Sequence, residues 1–279
     1  MIDRGAVSWP ASREFWRGKS FVVSDGRSRA ARFRRTYPHS TTAATSGTHS
    51  KAHGTFGVVS MDFSSLPVES VAGRVLRLTL KIIPSGTVLR IVQGPLLGKK
   101  WIAGSSNHGC WLGSYEFSKQ RLFARIVQPG WTVFDVGAHV GFYTLLSSIL
   151  VGPEGAVLAF EPLPRNAFLL RKHLHINTVR NATVIEAAVA DYCGTARFVT
   201  ARSTSTGRLD ARGALDVGGV TLYSLYEAGA PMPNCLKIDI EGGGYLALRG
   251  AQRLLSEQHP VVFLATHGPD VDAKCAEVL

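Results

Sequence analysis

From Trp131 onward, continuous apolar runs alternate with amphipathic stretches regularly enough to name elements. The run "TVFDVG" reads as a strand, "GFYTLLSSILV" as a helix, "AVLAFEP" as a strand, "RNAFLLRKHLHIN" as a helix and "ATVIEAAVA" as a strand. A looser section from Asp191 to Asn234 holds the strand-like "TARFVT" and the helix-like "VTLYSLYEAG". Strand "CLKIDIEG", helix "GYLALRGAQRLLSEQ" and strand "VVFLATHG" follow. Uniformly apolar strands between amphipathic helices predict an α/β fold: a mostly parallel, Rossmann-like sheet with helices on both faces. Such sheets bind ligands at the carboxyl ends of their strands, so the chemistry is expected there.

Upstream the pattern differs. In "VESVAGRVLRLTLKII", Val71, Val75, Leu78 and Ile82 recur at helical spacing, with Arg74, Arg77 and Lys81 on another face. This reads as a helix docked on the domain, with an interfacial membrane helix as the alternative. "TVLRIVQGPLLGKKWIAGSS" alternates short β-favouring runs with glycine turns and predicts a small antiparallel element; "YEFSKQRLFARIV" predicts a helix. The first 60 residues, rich in Arg, Ser, Thr and Gly, show no sustained apolar period. The expected divisions are a disordered basic segment over 1–65, a helix and small β-rich element over 66–129, and the α/β domain over 130–279.

The formal charge of +11 changes this picture little. Over residues 1–60, ten Lys and Arg against three Asp and Glu place +7 of it in the basic segment, leaving about +4 for the rest. A nucleic-acid partner is therefore not expected of the α/β domain. The beginning of the chain also fits a transit peptide, a basic tail for nucleic acid or anionic lipid, or translation starting at Met61. Cys110, Cys193, Cys235 and Cys275 form no CxxC and no cluster at metal spacing, and read as reduced thiols of a cytoplasmic protein. No run reaches the roughly 18 apolar residues of a membrane span.

The strand ends carry the candidate chemistry. Asp135 with Gly137 and Gly141, then Glu161, then Asp239 with Glu241, and finally His267 each follow an apolar run. The turn "GAHVG" is GxxxG with His139 at its middle, so it lacks the glycine that a GxGxxG pyrophosphate site requires. Asp135 beside the turn suits a cationic ligand and repels phosphate. Glu161 lies about 20 to 25 residues after the turn, where an acid can accept both hydroxyls of an adenosine ribose. These charges favour S-adenosylmethionine, whose methionine part bears an amino group and a sulfonium, over NAD. Each of these acids also fits a helix cap.

Taken in order, "FDVGAHVGFYT", "AFEPLPRNAFLLRKHLHIN", "VIEAAVAD" and "CLKIDIEGGGYLALRGA" resemble the FkbM family of S-adenosylmethionine-dependent methyltransferases. The resemblance covers about Trp131 to Gly268. It implies a class I methyltransferase fold and methyl transfer, usually to a hydroxyl of a sugar, glycolipid or natural product. Carried over by position, Asp135, Gly137, Ala138 and Gly141 would surround the methionine part of the cofactor. Glu161 would hold the ribose, and the "EAAVAD" segment, with Ala188 and Asp191, would lie near the adenine. Asp239 and Glu241 match the acidic pair facing the transferred methyl. His139 departs from the asparagine common in the family.

A hydroxyl acceptor needs help losing its proton, and Asp239, Glu241 and His267 are the candidates. A divalent metal bridging Asp239 and Glu241 is open but unsupported, because two carboxylates do not complete a site, and none is assigned. Trp101, Trp111 and Tyr115 are candidates for either an acceptor wall or the core; His173 and His175 read as helix-surface residues. The expected partner is a small-molecule or glycan acceptor, and a homo-oligomer stays open. After "VVFLATHG" only residues 269–279 remain, too few for the antiparallel pair that ends a class I sheet. The expectations are a C-terminally truncated fold and an uncovered sheet edge. A remnant acting as a binding module and an NAD-dependent oxidoreductase are the alternatives to an active methyltransferase.

Overall fold

The computed structural model describes residues 20–24, 31–33, 82–199, 208–209, 215–240, 243–266 and 269–279, with isolated positions between them. The elements in chain order begin with β1 (Ser20–Ser24), β2 (Ala31–Phe33), β3 (Val88–Arg90), β4 (Lys100–Ile102), α1 (Gly109–Leu112) and α2 (Phe117–Ile126). Then come β5 (Thr132–Val136), α3 (Phe142–Val151), β6 (Ala156–Phe160), α4 (Pro164–Ile176), β7 (Ala182–Ile185) and β8 (Ala187–Val189). The chain continues through β9 (Gly194–Val199), β10 (Arg208–Leu209), β11 (Leu215–Val220), α5 (Leu222–Glu227) and β12 (Cys235–Ile238). It ends with α6 (Gly244–Arg249), α7 (Gln252–Gln258), β13 (Val261–Thr266) and α8 (Pro269–Val278).

The main sheet has the order β2-β1-β13-β12-β5-β6-β7. Its strands β13, β12, β5, β6 and β7 run parallel, as the uniformly apolar runs predict. Their period of two explains why both faces are buried. Val133, Val157, Cys235 and Phe263 point into one core, where Phe123, Leu145 and Trp101 meet them. Phe134, Leu158, Leu236 and Leu264 point into the other, covered by Leu222, Leu248, Leu254 and Cys275. The order reverses between β5 and β12, and the crevice above that switch point is where a doubly wound sheet takes its ligand.

Three findings depart from the sequence reading. First, "ATVIEAAVA" is two strands: Glu186 separates β7 from β8, and β8 joins a second sheet of order β10-β9-β11-β8. The section read as loose supplies the other three strands of that sheet. Second, "GYLALRGAQRLLSEQ" breaks into α6 and α7 around Gly250, where a Cβ would run into the carbonyl of Ala190. Third, β1 lies antiparallel on β13, from Ser20 opposite Thr266 to Ser24 opposite Val262, and β2 lies antiparallel on β1.

That last pairing corrects two expectations together. The segment over 1–65 is not structureless throughout, because residues 20–24 and 31–33 are strands. The edge of β13 is not left open: the antiparallel pair β1 and β2, from the N-terminal segment, lies on it. An unpaired ladder on β13 is a template for any strand in reach, and "SFVVS" followed by "DG" and "ARF" carries strand, turn and strand signals. The remaining residues of 1–60, and most of the helix expected over 68–83, lie outside the described residues.

Candidate functional site

A cavity of about 690 Å³ opens above the switch point, walled by the ends of β5, β6, β8 and β12 and by the segment between β4 and α2. Volumes of roughly 300–1,000 Å³ are typical of small-molecule sites. Of the residues expected there, Gly137, Ala138, Glu161, Ala188 and Asp239 line it. Asp135, Gly141 and Asp191 do not, and Glu241 and His267 lie outside the described residues.

The glycine turn is held from behind. Gly137 has φ +78°, and a Cβ there would strike the carbonyl oxygen of Asp239. Gly141 has φ +94°, and its Cβ would come within 2.9 Å of Leu170. Both positions therefore require glycine for backbone conformation and protein packing, rather than to admit a ligand. The amides of the turn are also engaged: Gly137 and Ala138 donate to the carbonyl of Phe160 at 3.1 and 3.0 Å, and His139 donates to Glu161 Oε2 at 2.8 Å. A pyrophosphate would need those N–H groups free.

Asp135 sits beneath the turn, fully buried. Its Oδ2 accepts from Thr144 Oγ1 at 2.7 Å, and its Oδ1 lies 3.0 Å from Lys237 Nζ. The Lys237 ammonium also donates to the carbonyl of Gly137 at 3.1 Å and lies over the Tyr143 ring. Burial works against that ammonium, but Asp135, Asp239 and Glu116 outweigh it and hold its pKa above the ordinary lysine value. Lys237 lines the cavity and Asp135 does not, so the buried pair presents its cationic half to a ligand.

Glu161 closes the end of β6. Its Oε1 accepts from Leu163 N at 3.0 Å and Asn166 Nδ2 at 3.2 Å, while Oε2 takes the His139 amide. Burial raises its pKa, and those three donors pull it back. Oε1 already takes two donors, while Oε2, with one, retains a second acceptor direction through which a ribose hydroxyl can be received.

The opposite wall comes from residues the sequence reading did not single out, apart from Tyr115, and it meets His139 of the glycine turn. Glu116 has φ +46°, a left-handed backbone that a non-glycine residue adopts at a cost. Lys119 Nζ is 2.6 Å from its Oε1, and the buried Tyr143 hydroxyl has the Glu116 side chain as its hydrogen-bond partner. His139 Nε2 is buried with no hydrogen bond, and Glu116, Tyr143 and His139 all line the cavity. Burial pushes the His139 pKa down to about 4, with Lys237 adding to the effect, so the imidazole is neutral near pH 7. Burial raises Tyr115 and Tyr143 well above the ordinary tyrosine value, and Glu116 is the next cause for both; they stay protonated donors. A sequence signal existed for Glu116 only in hindsight: it stands just before α2, at a glycine-rich corner.

Other expectations sort by place. Trp101 is fully buried and stacks on the His173 ring at 3.8 Å, so both belong to the core. His173 is thus not a helix-surface residue: its Nε2 accepts from Ile102 N at 3.1 Å and its Nδ1 donates to the carbonyl of Val140 at 2.7 Å. Trp111 donates to His108 instead of facing the cavity, whereas Tyr115 does line it. Among the described residues no cluster of His, Cys, Asp and Glu could hold a metal, and no helix is long and apolar enough to cross a membrane.

A parallel sheet with a cavity at its switch point and acids ending its strands is the arrangement of a Rossmann-like ligand site. The family model described as the methyltransferase FkbM domain matches residues 135–278, just over half of the chain, and the chain belongs to that family. No curated protein matches it. Among solved structures, it is similar to a precorrin-6y C5,15-methyltransferase from Geobacter metallireducens, with 20% identity over 58% of this chain and 68% of that one, TM-score 0.40. A methyltransferase FkbM from Methylobacillus flagellatus matches at 16% identity over 56% of this chain, TM-score 0.36, and the match spans only 44% of that protein's length. An S-adenosylmethionine-dependent O-methyltransferase from Thermotoga maritima matches at 12% identity over 72% of this chain and 64% of that one, TM-score 0.41. Likenesses this loose say nothing of substrate.

Proposed function

We propose that this chain is an S-adenosylmethionine-dependent methyltransferase acting on a hydroxyl of a sugar, glycolipid or natural product. The observation that carries the reading is the cavity with Glu161 at one end and Asp239 at the other, over a turn whose amides are closed to phosphate. The same closure disfavours NAD. The cofactor fits what the wall offers: Glu161 would receive the ribose hydroxyls, Ala188 would flank the adenine, and Gly137 and Ala138 would border the methionine part. When bound, it supplies an electrophilic methyl on a cationic sulfur.

The rest is done by the chain. The cavity floor fixes one reactant and the wall at Tyr115 and Glu116 confines the other, turning a bimolecular displacement into an oriented one. Asp239 is the described member of the acidic pair and takes the acceptor's hydroxyl proton as the oxygen attacks. Burial of the surrounding aromatic groups keeps water from competing.

Calorimetric titration tests this. The full chain binds S-adenosylmethionine, and Glu161→Gln, which keeps the shape but loses acceptor strength, weakens binding about tenfold or more. If the wild-type chain binds neither the cofactor nor S-adenosylhomocysteine, the reading is wrong and a binding module takes its place.

A further inference from the structure

Between helix α4 and the antiparallel pair β3 and β4 runs a groove of about 530 Å³. Arg165, Phe168, Leu169, Lys172 and Ile176 line it at helical spacing, so it follows one face of α4 for about 16 Å. Val88 and Ile102 stand on its other side, which makes the trough apolar along most of its length. One end is continuous with the main cavity, because Gly104, Ser105 and Arg165 line both spaces.

The groove is also cationic. Among the described residues no acid lines it, and no carboxylate pairs with Arg165 or Lys172. Arg171, on another face of the same helix, is by contrast tied to Glu186. Arg165 stands in the first turn of α4, which has no acid, although the positive end of a helix disfavours a cation. The Lys172 ammonium lies 4.5 Å from the centre of the Phe168 ring, one turn nearer to Arg165, so both cations approach the stretch next to the main cavity. Exposed apolar side chains scattered singly need no explanation. Here Phe168 and Val88, 56% and 50% exposed, line one groove between those cations and the far end.

We infer that this groove holds the methyl acceptor beyond its reacting hydroxyl, and that the acceptor is an anionic amphiphile. Its hydroxylated head lies in the main cavity, its anionic group meets Arg165 and Lys172, and its apolar chain covers Phe168, Leu169 and Ile176. The inference rests on the function proposed above, from whose acceptors it selects the lipid-like ones. A sugar without a chain would leave the groove unfilled, and a neutral chain would leave both cations unpaired. The anion goes to these side chains because the amides of the glycine turn are engaged. Held at its far end, the acceptor presents its hydroxyl in one orientation, and the groove contributes position alone.

Calorimetry on the full chain tests this with monomeric dodecyl phosphate, dodecyl maltoside and inorganic phosphate, each with and without saturating S-adenosylhomocysteine. Dodecyl phosphate binds at one site, about tenfold or more tighter than the neutral amphiphile or the bare anion, and it binds together with S-adenosylhomocysteine. Lys172→Glu weakens it about tenfold and Arg165→Gln about fivefold. Both positions are exposed, and melting curves show that each variant is folded. Lys172→Glu, outside the main cavity, leaves S-adenosylhomocysteine affinity within about twofold. The inference is overturned, with the proposed function left standing, by any of four results: no binding of dodecyl phosphate, equal binding of dodecyl maltoside or inorganic phosphate, no effect of either substitution, or displacement of the amphiphile by S-adenosylhomocysteine. Binding to vesicles of anionic phospholipid without binding of the monomer also overturns it, in favour of a membrane-facing surface. Failure of the wild type to bind S-adenosylmethionine or its product overturns the function itself, and with it the assignment of the groove to an acceptor.

Discussion

The cavity has two sides that are built differently. Its floor, from β5, β6 and β12, has its polar atoms engaged: Asp135 by Thr144 and Lys237, Glu161 by three donors, the turn amides by Phe160 and Glu161. Its opposite wall, around Tyr115, Glu116 and Tyr143, is held within one short segment and its helix neighbour: Lys119 pairs with Glu116, and Glu116 bonds the Tyr143 hydroxyl. A polar network shared between strands is rigid and fixes where a ligand lies. On the proposed function, the floor determines whether a cofactor binds and the wall confines the acceptor.

The largest expected effect breaks the floor. Lys237→Met removes the ammonium beside Asp135 and leaves a fully buried carboxylate without that ion pair. Losing one partner of a buried pair costs about 3–5 kcal/mol, so chemical denaturation should show a loss of that size. Replacing both partners, as Asp135→Leu with Lys237→Met, should recover much of it. Recovery by the double variant would show that the pair is structural; a loss confined to ligand binding would show the reverse.

The next effect tests the joint between the two sides. His173 ties β4 to the turn after β5, accepting from Ile102 N and donating to Val140 O, and burial lowers its pKa to about 4. The native imidazole is neutral, whereas the unfolded one takes a proton below about 6.5. Its contribution is therefore full above pH 6.5 and is lost as the pH falls toward 4, up to about 3 kcal/mol. His139 adds a slope of the same sign. Urea denaturation from pH 7 to 4 should show stability falling with pH, and His173→Gln should flatten that fall; an equal slope in both would remove His173 as its source.

How far the sequence could be read divides along the same line. The floor was legible because its residues follow apolar strands at fixed positions, and strand periodicity and the glycine turn locate them. What the residues do was less legible. Asp135 in sequence is an acid beside a turn; only the pairing of Lys237 with Asp135 across β5 and β12 shows that it faces inward. The wall at Glu116 was not legible, since its importance comes from a left-handed backbone and from neighbours over twenty residues away. The β1 edge was hidden for another reason: the strand signals of "SFVVSDGRSRAARF" are diluted by arginine and serine, and its partner β13 is at the other end of the chain.

The smallest expected effect concerns a residue that sequence placed at the cofactor and structure places elsewhere. Asp191 follows β8 in the adenine-side segment, but its Oδ2 lies 3.0 Å from Arg249 Nη2 at the end of α6, and it does not line the cavity. The Arg249 side chain is about half exposed, so solvent screens the pair and its worth is about 0–1 kcal/mol. Asp191→Asn should therefore leave S-adenosylmethionine affinity within about twofold and stability within about 1 kcal/mol. Ala188→Leu, three residues earlier, on β8 and on the cavity wall, should weaken binding by filling the space where the adenine would lie. If Asp191→Asn instead weakened binding as strongly as Glu161→Gln, the floor would extend past β8 and the boundary between the two sides would have to be redrawn.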